Sequence, residues 1–281
     1  MAYSNSTPVT DTSPRVTSHS VHITGLAPGT IYHYRVKSKD AAGNPSVSAD
    51  FTFTTAAAMS LLSGIVSYWK MESTALLDSA GPNPLTLGGA ATIVGGKIGN
   101  ALDGAGGSAY SPTSTGIDFS TSCTFTCWFK GAGINASNFA ALVAKGDAGT
   151  PANCEIYLTW DQTAGGWKCS WGPAAPYTLV LPFTMDMTGT VWVFFCFRYD
   201  AAAGKITLSY NDPTVNSISA TSVTAPTHFP GVGLMFSDLA YSGTLYGSPG
   251  VLDESGFWSR ALSDAEVNAL YNGGAGLSYP F

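Results

Sequence analysis

Apolar and polar residues alternate along most of this chain with the two-residue period of a β-strand, not the 3.6-residue period of a helix. In Cys123-Thr-Phe-Thr-Cys-Trp-Phe129, one face carries Phe125, Cys127 and Phe129 and the other Thr124, Thr126 and Trp128. Both faces are bulky, as a strand inside a two-layer sandwich requires. Thr190 to Tyr199 is a near-continuous apolar run, the pattern of a central buried strand. Gly204 to Tyr210, ending in Asn211-Asp212, returns antiparallel to it. Glu155-Ile-Tyr-Leu-Thr-Trp160 and Trp167-Lys-Cys-Ser-Trp171 flank a Gly-containing turn and predict a hairpin. Near the N-terminus, Tyr32, Tyr34 and Val36 share one face of a strand after the Pro28-Gly29 turn, and Phe51 to Thr55 is a second strand.

One stretch breaks the pattern. Val251, Phe257 and Trp258 form a strand, and Ser263-Asp-Ala-Glu266 then opens a helix as a capping box, each end residue satisfying the other's backbone donor. Leu262, Val267, Leu270 and Tyr271 recur at helical spacing, so one face of this helix must dock. Asn272-Gly273-Gly274 tolerates the left-handed backbone that ends it. The expected class is all-β with one short C-terminal helix.

Length and composition narrow this further. The 281 residues suit one large β domain or two smaller ones. Charged residues make up 11% and glycines number 32, a balance that favours short strands and turns over helix bundles. A net charge of −6 without any basic run argues against a nucleic-acid partner. No apolar run approaches the ~20 residues of a membrane helix, so no membrane insertion is expected. The first seven residues, Met-Ala-Tyr-Ser-Asn-Ser-Thr, have neither the positive start nor the apolar core of a signal peptide. The cysteines are five, Cys123, Cys127, Cys154, Cys169 and Cys196, an odd number that fits buried reduced thiols. Their spacing with histidine matches no zinc site.

Leu252-Asp-Glu to Trp258-Ser-Arg260-Ala-Leu-Ser263, with Glu266 and Leu270-Tyr271, resembles the closing motif of laminin G-like jelly rolls. Those belong to the concanavalin A-like lectin/glucanase superfamily. The opening Tyr68-Trp69 strand, the Asp78-Ser-Ala-Gly81 turn and Gly96-Lys-Ile-Gly-Asn-Ala-Leu102 resemble the same family, so the likeness runs over about 61–281. It implies an antiparallel jelly-roll sandwich of two sheets. Leu26-x-Pro28-Gly29-Thr-x-Tyr32-x-Tyr34-x-Val36 and Asp40-x-x-Gly43-Asn44 resemble the second half of a fibronectin type III domain, with Tyr32 at the tyrosine corner. The domains read as 1–57, a partial fibronectin type III-like unit, and 58–281, the jelly roll. A half-sandwich exposes strand edges. Two explanations stand: the chain is part of a longer polypeptide, or a neighbouring subunit supplies the missing strands.

Catalysis finds little support. Glycosidases of the superfamily set two carboxylates about 5–5.5 Å apart for retention. Glu155 and Asp161 are isolated, Asp253 and Glu254 alternate to opposite faces, and His228 lies far from His19, His22 and His33 in sequence. The family resemblance implies a structural calcium, with Asp78 and Asp253 as the matching acids; the alternative for both is hydrogen bonding to nearby backbone. It also implies sugar binding, for which exposed aromatic rings supply stacking faces. Trp160, Trp167, Trp171 and Tyr177 cluster on and after one hairpin, beside Asp161, Gln162 and Lys168, and are the candidate platform. Core packing is the competing role for those rings.

Two functions follow. The first is a non-catalytic adhesive or carbohydrate-binding module holding a glycan or cell-surface polysaccharide. The second is a structural virion protein, such as a phage fibre, tail or capsid-decoration subunit, assembled or oligomerised through residues 1–57. Either places the chain extracellularly or on a virion surface.

Overall fold

The computed structural model describes residues 6, 23, 30–40, 42–54, 60–104, 106–112, 114–132, 139–146, 154–161, 163–171, 177–183, 188–237, 240–241, 244–245 and 250–281. Contacts divide the chain into two units, Met1–Ser60 and Leu61–Phe281.

In the first unit, β1 (Ile31–Tyr34) pairs with β4 (Phe51–Thr54), and β2 (Lys37–Lys39) with β3 (Pro45–Val47). Tyr32 stacks on its cross-strand partner Phe53, ring centroids 5.8 Å apart. The β2–β3 turn is tied by Asp40, whose carboxylate accepts from the Asn44 backbone N–H at 2.8 Å.

The second unit is an antiparallel β-sandwich. Its strands run in order β5 (Ile65–Trp69), β6 (Thr86–Gly88), β7 (Thr92–Gly95), β8 (Asn100–Asp103), β9 (Ser108–Ser111), β10 (Cys123–Ala132) and β11 (Phe139–Lys145). Next come β12 (Ile156–Asp161), β13 (Gly166–Trp171), β14 (Tyr177–Pro182), β15 (Thr188–Asp200), β16 (Lys205–Tyr210) and β17 (Ser217–Ala220). Then follow β18 (Leu234–Phe236), the short pair β19 (Ala240–Tyr241) and β20 (Thr244–Leu245), β21 (Val251–Trp258) and helix α1 (Asp264–Tyr271). One sheet has eight strands, ordered β17-β16-β15-β10-β21-β8-β7 with β5 also on β21; the other has seven, ordered β14-β13-β12-β11-β18-β9-β6.

The inward faces meet in one core. Phe125, Phe129, Phe195 and Phe197 of the larger sheet pack with Leu142, Ile156, Leu158 and Trp167 of the smaller. The five cysteines are buried and none forms a disulfide, and burial pushes the Cys196 thiol up to about 11.

The closing strand β21 carries a β-bulge. Its register with β10 shifts between Thr126 and Trp128, and Glu254 takes a left-handed φ of 46° there. The extra residue changes which positions point inward: Leu252 and Phe257, five apart, both face the core. Trp258 turns to the outer face, where its Nε1 donates to Leu61 O at 2.7 Å.

Helix α1 seals part of that outer face. Val267 and Leu270 pack with Trp128, Phe194 and Trp258. The capping box forms as its residues predict: Ser263 N–H donates to Glu266 Oε2 at 2.8 Å, and Glu266 N–H to Ser263 Oγ at 3.3 Å. Arg260 adds two bonds to the Glu266 carboxylate, 2.6 and 3.0 Å, which hold it below the usual carboxylate range. Glu266→Ala is therefore expected to lower unfolding stability by about 1–3 kcal/mol in urea titrations read by tryptophan fluorescence. Glu266→Gln, which keeps the box but loses the charge, is expected to fall in between.

Candidate functional site

The hairpin β12–β13 places its tryptophans inward. Trp160 is 4% exposed and Trp167 0%, and Trp167 packs against Phe129, Phe183 and Phe195. Buried rings offer a sugar no face, so these two positions are core, a correction to the platform expected of them. The side chains of Trp171 and Tyr177 lie outside the described residues; their backbones pair across β13 and β14. Gln162 also lies outside them.

The same alternation sends Tyr157, Thr159, Asp161, Lys168 and Ser170 to the outer face of the seven-stranded sheet. Lys168 Nζ donates to Asp161 Oδ2 at 3.2 Å, and the Ala164 N–H caps that carboxylate. The Asp161 carboxyl is lowered overall by these bonds, although its partial burial opposes them as the largest single effect.

Register extends this face across the sheet. Tyr157 opposes Ala144 on one side and Ser170 on the other, and Ser170 opposes Thr178. Ala144 opposes Met235, Met235 opposes Tyr110, and Tyr110 opposes Thr86. One cross-strand row therefore carries two tyrosines with hydroxyls at both ends. Ala141 and Ala144 are small and fully buried, and Tyr157 and Met235 pack over them. Tyr110 is 41% exposed, and Ser170 Oγ is buried without a hydrogen-bond partner. Tyr110 and Tyr157 stand three strands apart, about 14 Å at the usual strand spacing, a length suited to an oligosaccharide chain. Neither tyrosine was among the residues expected to bind. The signal for Tyr157 was that the residues alternating with the hairpin tryptophans beyond it, Thr159, Asp161, Lys168 and Ser170, are polar.

The acids expected to hold calcium are occupied by backbone. Asp78 Oδ1 accepts from the N–H groups of Tyr68, Ala80 and Gly81 at 2.8–3.0 Å, and Oδ2 from Asn83 at 3.0 Å. Asp253 Oδ2 accepts from Lys97 and Ile98, at 2.8 and 2.9 Å, and Oδ1 from Glu254 at 2.8 Å. Gly96 permits this approach, since a Cβ there would lie 2.7 Å from Asp253 Oδ2. Positive N–H dipoles surround both carboxylates, so neither fits a calcium ligand, and both serve as loop anchors instead.

Beside Asp253, the Glu254 carboxylate is buried with both oxygens lacking an aligned hydrogen bond. The Tyr68 hydroxyl lies near it but donates to Leu277 O at 3.1 Å. Burial pushes Glu254 up to about 7 and Asp253 up to about 8.

Among the described residues, Asp118, Glu155 and His228 form one group of potential metal ligands. His228 Nδ1 lies 3.1 Å from Glu155 Oε1 and 3.2 Å from Asp118 Oδ1. Glu155 Oε1 already accepts from Phe229 N–H and pairs with buried Lys145 Nζ, each at 2.7 Å, and Asp118 Oδ1 accepts twice from Ser120. Both carboxylates are thus already engaged by protein donors, while the His228 Nδ1 that faces them is buried without a hydrogen-bond partner.

A family model described as the concanavalin A-like lectin/glucanases superfamily matches residues 103–268, more than half of the chain. Residues 1–55 match a model described as the purple acid phosphatase N-terminal domain, where the fibronectin type III resemblance had been expected. No curated protein sequence matches. Among solved structures, the chain is similar to the binding domain of Paraclostridial mosquitocidal protein 1, with TM-score 0.60, 16% identity, and coverage of 75% of this chain and 52% of that one. It is similar to domain 4 of an extracellular arabinanase from Geobacillus stearothermophilus, solved with arabinotriose: TM-score 0.55, 17% identity, 73% of this chain and 97% of that one. It is also similar to the Trypanosoma rangeli sialidase solved with sialic acid, with TM-score 0.56, 13% identity, and 79% and 35% coverage. The chain spans about half the length of the toxin binding domains it matches. At these identities the likeness establishes the sandwich fold.

The raised carboxyls give a pH dependence. Glu254 rises from 4.5 to about 7 and Asp253 from 3.8 to about 8, so folding favours their protonated forms. Their contribution is fully present below the unfolded values and is lost as pH rises through the folded ones. The Tm of the second unit should therefore fall between about pH 5 and 8. Glu254→Gln should flatten that fall, with a gain of up to about 3 kcal/mol at pH 8 and little change at pH 5. Melting temperatures in calcium and in chelator should agree; a calcium-induced rise would restore a cation to this region.

Proposed function

We propose that this chain, which belongs to the concanavalin A-like lectin/glucanases superfamily, is a non-catalytic carbohydrate-binding module that uses the outer face of its seven-stranded sheet. The observation that carries this reading is the cross-strand row from Thr86 to Thr178, in which Thr86, Tyr110 and Thr178 are exposed and Met235 and Tyr157 partly so. The exposed Tyr110 ring and the partly exposed Tyr157 ring offer sugars an apolar face, while the Thr86 and Thr178 hydroxyls and the Asp161–Lys168 pair offer donors and acceptors beside it. The similar arabinanase domain, solved with arabinotriose, supports an oligosaccharide as the ligand class. The reading assigns the acids Asp78, Asp253 and Glu155 to structure, and calcium has no part in it. It places the chain outside the cell or on a virion surface, holding a glycan or cell-surface polysaccharide.

A second reading, a structural virion subunit that assembles through its first unit, draws on one observation. Ile31, Val36, Val47 and Phe51 are 48–64% exposed there, an apolar display that suits a partner surface. A full-chain mass of one protomer by light scattering is expected under the first reading. A defined oligomer dispersed by Phe51→Ser would favour the second.

The direct test of the first is a glycan array probed with the full chain, followed by affinity measurement on the best oligosaccharide. Tyr110→Ala is expected to weaken binding about tenfold with the fold unchanged, since the ring is exposed. Binding to no glycan, or binding indifferent to Tyr110, would overturn the reading.

A further inference from the structure

On the opposite side of the sandwich, the outer face of the eight-stranded sheet changes character along β15. Phe194 and Cys196 are apolar and lie under α1, whereas Arg198 and Asp200 at the next outward positions are charged. Arg198 opposes Thr207 on β16, and Thr207 opposes Ser219 on the edge strand β17. Asp200 opposes Lys205 at the turn. The segment Ala261–Asp264 stands over these strands as a wall, and the space between is a cavity of about 330 Å³. That volume lies within the range of small-ligand sites.

The wall is fixed from below. Arg198 Nη1 donates to Leu262 O at 3.0 Å, and Nη2 pairs with Asp264 Oδ1 at 2.6 Å. Its Nε is buried without a hydrogen-bond partner, a donor left unspent beside the cavity. Thr207 Oγ1 and Ser219 Oγ are 2.9 Å apart, and each hydroxyl keeps further hydrogen-bonding capacity. Asp200 Oδ1 accepts from Ala203 N–H at 3.1 Å, which leaves its other oxygen as an acceptor.

Two cations and two carboxylates line the cavity, so its formal charge is zero. A carboxylate-bearing ligand would meet Asp200 and Asp264, and a cationic one Lys205 and Arg198. A neutral polyol can give a hydroxyl proton to Asp200 and accept from Lys205, with Thr207, Ser217 and Ser219 completing the contacts. Among the described residues no aromatic ring lines the cavity, so hydrogen bonds rather than stacking would hold the ligand. We propose that this groove is a second saccharide site, taking one neutral sugar unit of a glycan. The proposal rests on the carbohydrate-binding reading but uses the face of the sandwich away from Tyr110.

The experiment is a titration of the ¹⁵N-labelled full chain with arabinotriose, maltotriose and a glucuronate-containing trisaccharide, followed by amide chemical shifts. The amides of Ser217, Ser219 and Ser263 are expected to move saturably with a neutral trisaccharide. Lys205→Ala combined with Ser219→Ala, both exposed positions, should raise the dissociation constant at those signals about tenfold. Shifts around Tyr110 should be unaffected. Shifts confined to the Tyr110 face, with the groove amides still, would overturn the second site and leave the module reading standing. A groove response to the glucuronate trisaccharide alone would overturn the neutral-ligand assignment. Groove shifts indifferent to the double substitution would overturn the site itself, and silence everywhere would overturn both this site and the module reading.

Discussion

The placement of β21 constrains the rest of the second unit. It pairs with β10 along one edge, while its other edge is shared in succession by β8, at Val251 and Leu252, and by β5, at Ser255 to Trp258. The bulge at Glu254 falls between those two partners, where the strand changes which residues face inward. Asp253 occupies the junction, and its carboxylate gathers the Lys97 and Ile98 backbone N–H groups of the loop before β8. A left-handed backbone at a non-glycine residue is unfavourable by itself. It persists because Leu252 and Phe257 reach the core while Trp258 reaches Leu61 on the other face.

From that strand the two outer faces of the sandwich diverge. The eight-stranded sheet carries Trp128, Phe194 and Trp258 outward, and α1 with the C-terminal Tyr279 and Phe281 covers them. Toward β17 this face turns polar and a groove opens there. The seven-stranded sheet carries small residues outward at Ala141 and Ala144, with Tyr157 and Met235 over them and Tyr110 exposed beyond. An outer surface of small residues, tyrosines and hydroxyls has no large apolar area to hide. Ala141, Ala144, Thr159 and Ser170 on this face are themselves buried, so what it offers a ligand is Tyr110 with Thr86 and Thr178 and the partly exposed Tyr157 and Met235.

Several local features were legible in the residues. The Ser263–Glu266 capping box, the Asn272 stop and the alternation in Cys123–Phe129 all appear as their side chains dictate, because each depends on neighbours within a few positions. The β12–β13 hairpin was legible too, but its inward face was not. Alternation says that Trp160 and Trp167 share a face; it does not say whether a second sheet covers that face. Phe129 and Phe195, which bury Trp167, come from strands on either side of it in sequence and reach it only through the sandwich.

The acids follow the same division. That Asp78 sits in a turn was readable from Asp-Ser-Ala-Gly, but four converging backbone N–H groups, one of them from Tyr68 on β5, exist only once the strand and the turn meet. The Tyr110–Tyr157 row and the groove between Arg198 and Asp264 are likewise built from segments distant in the chain. The sequence by itself determined the β class, the strand faces and the helix with its caps, since periodicity and capping are short-range. Tertiary structure decided which face is core, which carboxylates are spent and where a ligand can lie, because burial depends on the second layer laid over each strand.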